Sequence, residues 1–475
     1  EFFIIIKEDS EETEEATEKE EDEEKPQGLY LVDTKNFQVH QVIDSTGTYS
    51  HLNFNEDANL LSFIATHDKE DEEVKDYFLY LYNLETKELQ KFDEGISGMP
   101  EDYVISQHFA PKFSKNSSKL YLGIAPKEIA KDSTFIEEDH AILDIWHYKD
   151  EYLQTQQLAN LKKDLEKSYL SVIHLNQTGQ LIRLADEQMN TVRLVDKGNA
   201  DFVFGISDYG NRISKQWDVS GVYSYYNIDT KTGKKTELIK DLHGNAYLSP
   251  KGKNLVFFDR NTANWYSMDL ASEKIIHLNK DLDVSFADEE NDVPDTARPY
   301  PLVGWNEAET KVLLQDRYDI WSFNTANNPQ AENITKAIGR KNTLKFSYIK
   351  LDDEADHIDL ASKLILSAFN ETNKESGYYE LEIGKTPRRL LMEPMSGHRS
   401  LTKAKDANVY YYSHESFVIP PTLVSTKNLR TQHVLHRTNP QQKDYNWGTV
   451  ELIHYTAGNG KPATGILFRP EDFDA

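Results

Sequence analysis

A short phrase recurs along this chain and limits what it can fold into: an aromatic residue, two further positions, then a polar residue that opens a turn. It reads Tyr30-Leu-Val-Asp33, Tyr80-Leu-Tyr-Asn83, Trp146-His-Tyr-Lys149, Tyr226-Asn-Ile-Asp229, Tyr266-Ser-Met-Asp269, Trp321-Ser-Phe-Asn324 and Tyr379-Glu-Leu-Glu382. A period of roughly 40 to 80 residues on strand-like segments is the mark of a β-propeller.

A second phrase precedes several copies of the first: Phe54-Asn-Glu-Asp-Ala-Asn-Leu-Leu61, Phe113-Ser-Lys-Asn-Ser-Ser-Lys-Leu120, Leu248-Ser-Pro-Lys-Gly-Lys-Asn-Leu255 and Trp305-Asn-Glu-Ala-Glu-Thr-Lys-Val312. Each is a strand end, a polar turn and a new apolar strand, the pattern of a hairpin between inner strands. Together the phrases make one four-stranded blade, and they place repeats at 1–43, 48–95, 104–184, 185–243, 244–280, 297–338, 343–393 and 396–437. The expected fold is therefore all-β, a seven- or eight-bladed propeller. An aromatic-rich β-sandwich is the alternative, but it has no reason to repeat one hairpin grammar. The fourth and eighth repeats are the faintest; in the eighth, Leu423-Val-Ser-Thr426 lacks the aromatic. The first blade is expected to be incomplete, since Glu1-Phe-Phe-Ile-Ile-Ile-Lys7 reads as a second strand. The phrase aromatics are expected on blade strands, their rings wedged between neighbouring blades.

Composition narrows the function classes. The net charge of −27 leaves no basic face for nucleic acid, and no apolar run nears the roughly 18 residues that span a membrane. With no cysteine, disulfides, thiolate metal sites and a cysteine nucleophile are excluded. Much of the acid lies between Glu8 and Lys25, which reads as a solvated loop.

Individual motifs are weak. Gly205-Ile-Ser-Asp-Tyr-Gly210 fails as a nucleophile elbow, because the second glycine is one residue too far and no helix follows. The acidic run from Asp281 to Asp295 lacks the order of a calcium loop. No paired histidine spacing on one strand suggests zinc, so no metal or cofactor is expected. Glu137 and Glu138 are the candidate substrate-binding residues, since adjacent carboxylates can grip a peptide amino terminus; solvated glutamates are the plainer reading. Leucines spaced through Tyr152 to Lys167 suggest a short amphipathic helix that caps or connects blades, with partner binding as the alternative.

Past the last blade the grammar changes. Asn446-Trp-Gly-Thr-Val-Glu-Leu-Ile-His-Tyr455, a turn at Ala457 to Lys461, and Ala463-Thr-Gly-Ile-Leu-Phe-Arg-Pro-Glu-Asp-Phe473 form a strand pair foreign to the blades, so the propeller is assigned to 1–445 and a second domain to 446–475. This ending resembles the prolyl oligopeptidase family of serine peptidases, in which two such strands open the α/β-hydrolase domain after the propeller. Asp144-Ile-Trp-His-Tyr-Lys-Asp-Glu-Tyr-Leu-Gln154, Val172-Ile-His-Leu-Asn-Gln-Thr-Gly179 and Trp217-Asp-Val-Ser-Gly-Val-Tyr223 resemble secreted members of Bacteroidetes type.

The resemblance implies a substrate-gating propeller for a peptide-hydrolysing enzyme, with peptides and its own hydrolase domain as partners and a periplasmic or cell-surface setting. It also implies that the Ser, Asp and His triad lies beyond Ala475, so that no residue here is catalytic and the chain alone is inactive. The Asp-Trp-x-Tyr-Glu-Glu wording of the dipeptidyl peptidase branch is absent, so Glu137 and Glu138 carry no motif support. The blade phrases are shared with TolB-type propellers, and a stand-alone binding module of that type is the alternative function.

Overall fold

The computed structural model describes residues 2–7, 28–130, 143–176, 179–189, 191–218, 220–326 and 328–474, with residues 2–7 as backbone only. The chain divides into two compact units, residues 1–243 and 244–475. In each, consecutive strands pair antiparallel to make a series of small sheets.

The first unit holds four sheets. Phe2–Lys7, Gly28–Asp33 and Val39–Ile43 make a three-stranded first sheet. Thr48–Phe54, Leu60–Thr66, Phe78–Asn83 and Leu89–Phe92 make the second. The third runs from Tyr103 to Arg183, with the short Lys112–Phe113 beside Lys119–Pro126, and the fourth from Thr191 to Leu242. The second unit repeats the plan four times, over 244–277, 302–333, 344–394 and 396–437, and ends in a separate hairpin, Thr449–Thr456 with Pro462–Arg469. All eight expected repeats thus have a sheet, the two faint ones included. Among the described residues the α-helices are Gln154–Leu165 and Ile338–Asn342, with no helical hydrolase domain, and no helix is long and apolar enough to cross a membrane.

The inner strands explain their own composition. Leu60–Thr66 and Lys119–Pro126 are almost wholly buried, because both faces of an inner strand are covered, and a run of apolar residues replaces alternation. Sheets within a unit pack in chain order. Leu29 and Leu31 of the first meet Leu61, Phe63 and Tyr80 of the second, while Val256, Phe258 and Trp265 of the fifth meet Val312, Leu314 and Phe323 of the sixth. Each such side chain contributes about 2 kcal/mol of burial.

The recurrent aromatic phrase lies on a strand in six of the seven copies, the third of its sheet in five and the middle strand of the three-stranded first sheet for Tyr30. Trp146-His-Tyr-Lys149 is the exception: it lies outside any strand and runs into a turn at Tyr148 and Lys149, with Trp146 63% and Tyr148 84% exposed. The third strand of that sheet is Tyr169–His174 instead. The expected wedge holds for Tyr80, which packs with Leu29 and Leu31 of the first sheet, and for Tyr379, which packs with Leu313 and Ile320 of the sixth. Tyr80 also stacks on Phe63 and Tyr266 on Phe257, each the ring's own cross-strand partner within the sheet. The residue just before the aromatic is the deeply buried one, as Leu29, Leu79, Tyr225, Trp265, Ile320 and Tyr378 all show. Strand alternation is the cause, since neighbours on a strand face opposite sides.

The hairpin turns do more than reverse the chain: they latch one sheet to the next. Asn55 Nδ2 donates to Ser117 Oγ at 2.9 Å, joining the second and third sheets. Lys119, buried, donates Nζ to the carbonyls of Asn199 and Ala200 at 2.7 Å each, in the hairpin turn of the fourth. Burial pulls its pKa down, with nearby Asp201 opposing. Gly198 permits this approach, because its φ of +85° and the Tyr121 ring, 2.9 Å from where a Cβ would stand, exclude a side chain there.

In the second unit a hairpin turn carries a buried charge of the opposite sign, Glu309. Its carboxylate accepts from Ser249 Oγ (2.7 Å) and Lys251 N (2.6 Å) of the fifth sheet's turn, and it lies 3.0 Å from His357 Nε2. Burial alone would raise its pKa, but the hydrogen bonds from His357, Ser249 and the backbone bring it below the ordinary value. Further along, Glu371 accepts from Tyr318 Oη (2.6 Å), Arg317 Nη2 (2.9 Å) and Lys345 Nζ (2.5 Å). Against the opposing effect of burial, these partners bring it down to about 2.

Candidate functional site

Glu137 and Glu138 lie outside the described residues, but both limbs of the insertion that carries them can be followed. The outgoing limb leaves the third sheet at Pro126, where Lys127 N donates to Asp102 O at 2.8 Å and Lys127 Nζ to Glu94 at 3.2 Å. The returning limb passes Trp146 and Tyr148 and re-enters the sheet at Tyr169 through the helix Gln154–Leu165.

That limb is bolted to the fourth sheet's connection by one buried guanidinium. Arg212 donates Nη1 to Glu151 Oε2 (2.5 Å), Nε to Asp208 Oδ1 (2.7 Å) and Nη2 to the Glu187 carbonyl (3.0 Å). Lys215 holds the other Asp208 oxygen at 2.5 Å. Although burial opposes charge, Asp208 and Glu151 raise the Arg212 pKa above its ordinary value, so Arg212 stays cationic over any working pH. Gln154 Nε2 donates to Asp144 Oδ1 at 2.7 Å, tying the helix start back to the limb. The helix expected over Tyr152 to Lys167 is there, and its leucines, Leu153, Leu158, Leu161 and Leu165, are exposed.

A cleft lies where the two limbs meet the sheets, lined by Tyr77, His108, Lys127, Glu128, Lys167 and Tyr169. Burial, with Glu128 and Asp68 adding, raises the Tyr77 pKa, so its hydroxyl stays a donor. Beside it, Arg183 stacks 4.7 Å from the Tyr103 ring and 5.0 Å from the Tyr169 ring, and donates to Glu187 at 3.0 Å. Trp146, Tyr148, Tyr209 and Trp217 are exposed, and the residues lining the cleft do not set a nucleophile against a base.

The other sequence motifs fall away on inspection of their contacts. Ser207 lies on a strand and donates to the Gln188 carbonyl at 2.6 Å. The Asp281–Asp295 run spreads its carboxylates over separate cations: Glu289 over Arg340, Glu290 over Arg317 and Lys345, Asp295 over Arg260.

One group was not legible from spacing. Glu393, His398 and His414 meet at the seventh and eighth sheets, their ligating atoms all within 4.8 Å of one another. His398 and His414 sit on consecutive strands as register partners. The signal was there in principle, in hairpin alternation, but it required the register of a strand pair that no turn motif specifies.

No family model matches the chain, and no curated protein does. Among solved structures it is similar to a prolyl endopeptidase (13% identity, TM-score 0.41, covering 90% of this chain and 55% of that one). It is also similar to prolyl oligopeptidase B from Galerina marginata (11%, 0.38, 90% and 56%). A candidate dipeptidyl aminopeptidase IV from Bacteroides ovatus is a third (11%, 0.45, 94% and 63%). The chain spans somewhat over half the length of each of these proteins.

Proposed function

We propose that this chain is the substrate-gating propeller of a prolyl-oligopeptidase-like serine peptidase, with the closing hairpin as the first strands of its α/β-hydrolase domain. One observation carries the reading. The hairpin Thr449–Thr456/Pro462–Arg469 is paired in register along its whole length, yet Tyr455, Ile466, Phe468 and the following Phe473 are each at least half exposed. A lone two-stranded hairpin is marginal in water, and apolar side chains on it call for a cover. Its moorings are Trp447 Nε1 to the Phe417 carbonyl at 2.8 Å and the Phe417 ring against Phe468 at 5.3 Å. In this reading a hydrolase domain supplies the cover.

A propeller placed over an active site admits peptides and excludes folded proteins. The insertion bolted by Arg212 would present Glu137, Glu138 and the exposed aromatics to the peptide. Hydrolysis needs nucleophile, base and oxyanion hole together, which in this reading belong to the hydrolase domain, and a periplasmic or cell-surface setting suits such an enzyme.

The test is to express the encoded protein with its downstream residues and, separately, residues 1–475. The longer protein is expected to react with a fluorophosphonate serine probe and cleave peptides, and residues 1–475 to do neither. Absence of a downstream Gly-x-Ser-x-Gly would favour the stand-alone TolB-type module. Given the charge of −27, kcat/KM of the longer protein should favour Lys-rich over Glu-rich peptides at low salt, and the preference should fade as salt rises.

A further inference from the structure

We propose that Glu393, His398 and His414 bind one divalent transition-metal ion of the zinc class, a site separate from the peptidase reading and independent of it. Three features of the geometry carry this.

The first is convergence. Glu393 ends the strand Arg388–Pro394, His398 lies on Ser396–Lys403 and His414 on Tyr410–Ser416. The Nε2 atoms of both histidines stand 3.0 Å from the same carboxylate oxygen, Glu393 Oε2. Ligands at about 2.0–2.1 Å from a tetrahedral ion are about 3.3 Å apart, so only small side-chain adjustments separate this arrangement from a coordination sphere. Two imidazoles and a carboxylate are the donor set of open zinc sites, in which solvent takes the fourth position.

The second is hydrogen-bond accounting at His398. Ser376 Oγ donates its one proton to the Ser396 carbonyl, so toward His398 Nδ1 at 3.1 Å it can only accept. The proton is therefore on Nδ1, and in a neutral ring Nε2 turns a lone pair toward the Glu393 oxygen. Two lone-pair bearers 3.0 Å apart call for a positive charge between them, either a second proton on Nε2 or a metal ion. Nδ1–H held by a hydroxyl, leaving Nε2 for the metal, is the usual outer-shell arrangement of a ligating histidine.

The third is His414, which is buried, with no hydrogen-bond partner for Nε2. That nitrogen points at the shared carboxylate without donor geometry, which a bound ion would resolve. Gln432 Nε2 donates to the other carboxylate oxygen, Glu393 Oε1, at 3.2 Å and orients it.

The experiment uses the 475-residue chain stripped of metal with a chelator and then titrated with Zn2+, and in parallel with Co2+ followed by its visible absorption. One equivalent is expected, with an intense tetrahedral Co2+ band and a rise in Tm as free Zn2+ increases. His414→Gln and Glu393→Gln are each expected to weaken binding at least tenfold while leaving the metal-free Tm within a few degrees. No stoichiometric binding would overturn the proposal. So would one equivalent that neither substitution weakens, which would place the ion elsewhere. If both variants fail to fold, 15N chemical shifts of the wild-type imidazoles decide: metal-induced shifts at Nε2 of His398 and His414 support the site, and a doubly protonated His398 unmoved by Zn2+ overturns it.

Discussion

Lys119 and Glu309 are both buried charges at the inner hairpin of their sheets, Lys119 as the first residue of the second strand and Glu309 in the turn before it, yet they have opposite sign. Lys119 faces carbonyls of the next turn, at Asn199 and Ala200, whereas Glu309 faces donors of its neighbours, at Ser249, Lys251 and His357. The sign of the latch follows from what the adjoining turn leaves unpaired. A turn that directs carbonyls inward requires a cation, and one that directs N–H groups inward requires an anion, because buried backbone groups must find partners.

The most severe test of this contrast is Lys119→Ala, which orphans the carbonyls and leaves a cavity. Destabilisation of about 4 kcal/mol is expected, read as faster hydrogen exchange in the third and fourth sheets; a loss under about 1 kcal/mol would mean that the carbonyls find water instead. Glu309→Ala should cost about 3 kcal/mol, while Glu309→Gln, which still accepts through its amide oxygen, should cost about 1. Equal costs for those two variants would show that the charge, and not the shape or the acceptor alone, governs the latch.

A smaller effect is expected at Glu371, whose folded pKa is depressed to about 2. Its contribution is complete above the unfolded carboxyl value near 4.5 and is lost as pH falls toward 2. That amounts to on the order of 2 kcal/mol after allowance for solvent, and urea melts of Glu371→Gln should lack this part of the acid dependence. Smallest of all, Lys115→Ala removes an exposed pair with Glu56 at 3.9 Å and should change stability by less than about 0.5 kcal/mol. A larger loss would extend the latch to the outer rim of the turn.

These latches mark the limit of what could be read beforehand. Turn residues such as Asn55, Lys119 and Glu309 announced hairpins, and the hairpins are there, because turn chemistry is local. Their partners lie in another repeat, and nothing in a local pattern names them. The same limit explains the phrase aromatics: Tyr80 and Tyr266 were conspicuous, while the deeper residues beside them, Leu79 and Trp265, required strand alternation to be followed one position back. Trp146 shows a phrase without its strand. At the metal cluster, His398 and His414 became neighbours only through register.

The insertion at residues 127–168 bears on the order in which the chain acquires structure. Elsewhere in the first unit, neighbouring strands with fully described connections are joined by 13 residues or fewer, so pairing can follow synthesis strand by strand. Lys119–Pro126 must wait for Tyr169–His174 across that whole segment, and closing it costs about 2 kcal/mol more in chain entropy than a five-residue turn. The third sheet is therefore the expected pause in an otherwise sequential assembly, the stage at which a nascent chain would expose the apolar strand Leu120 to Ala125 longest.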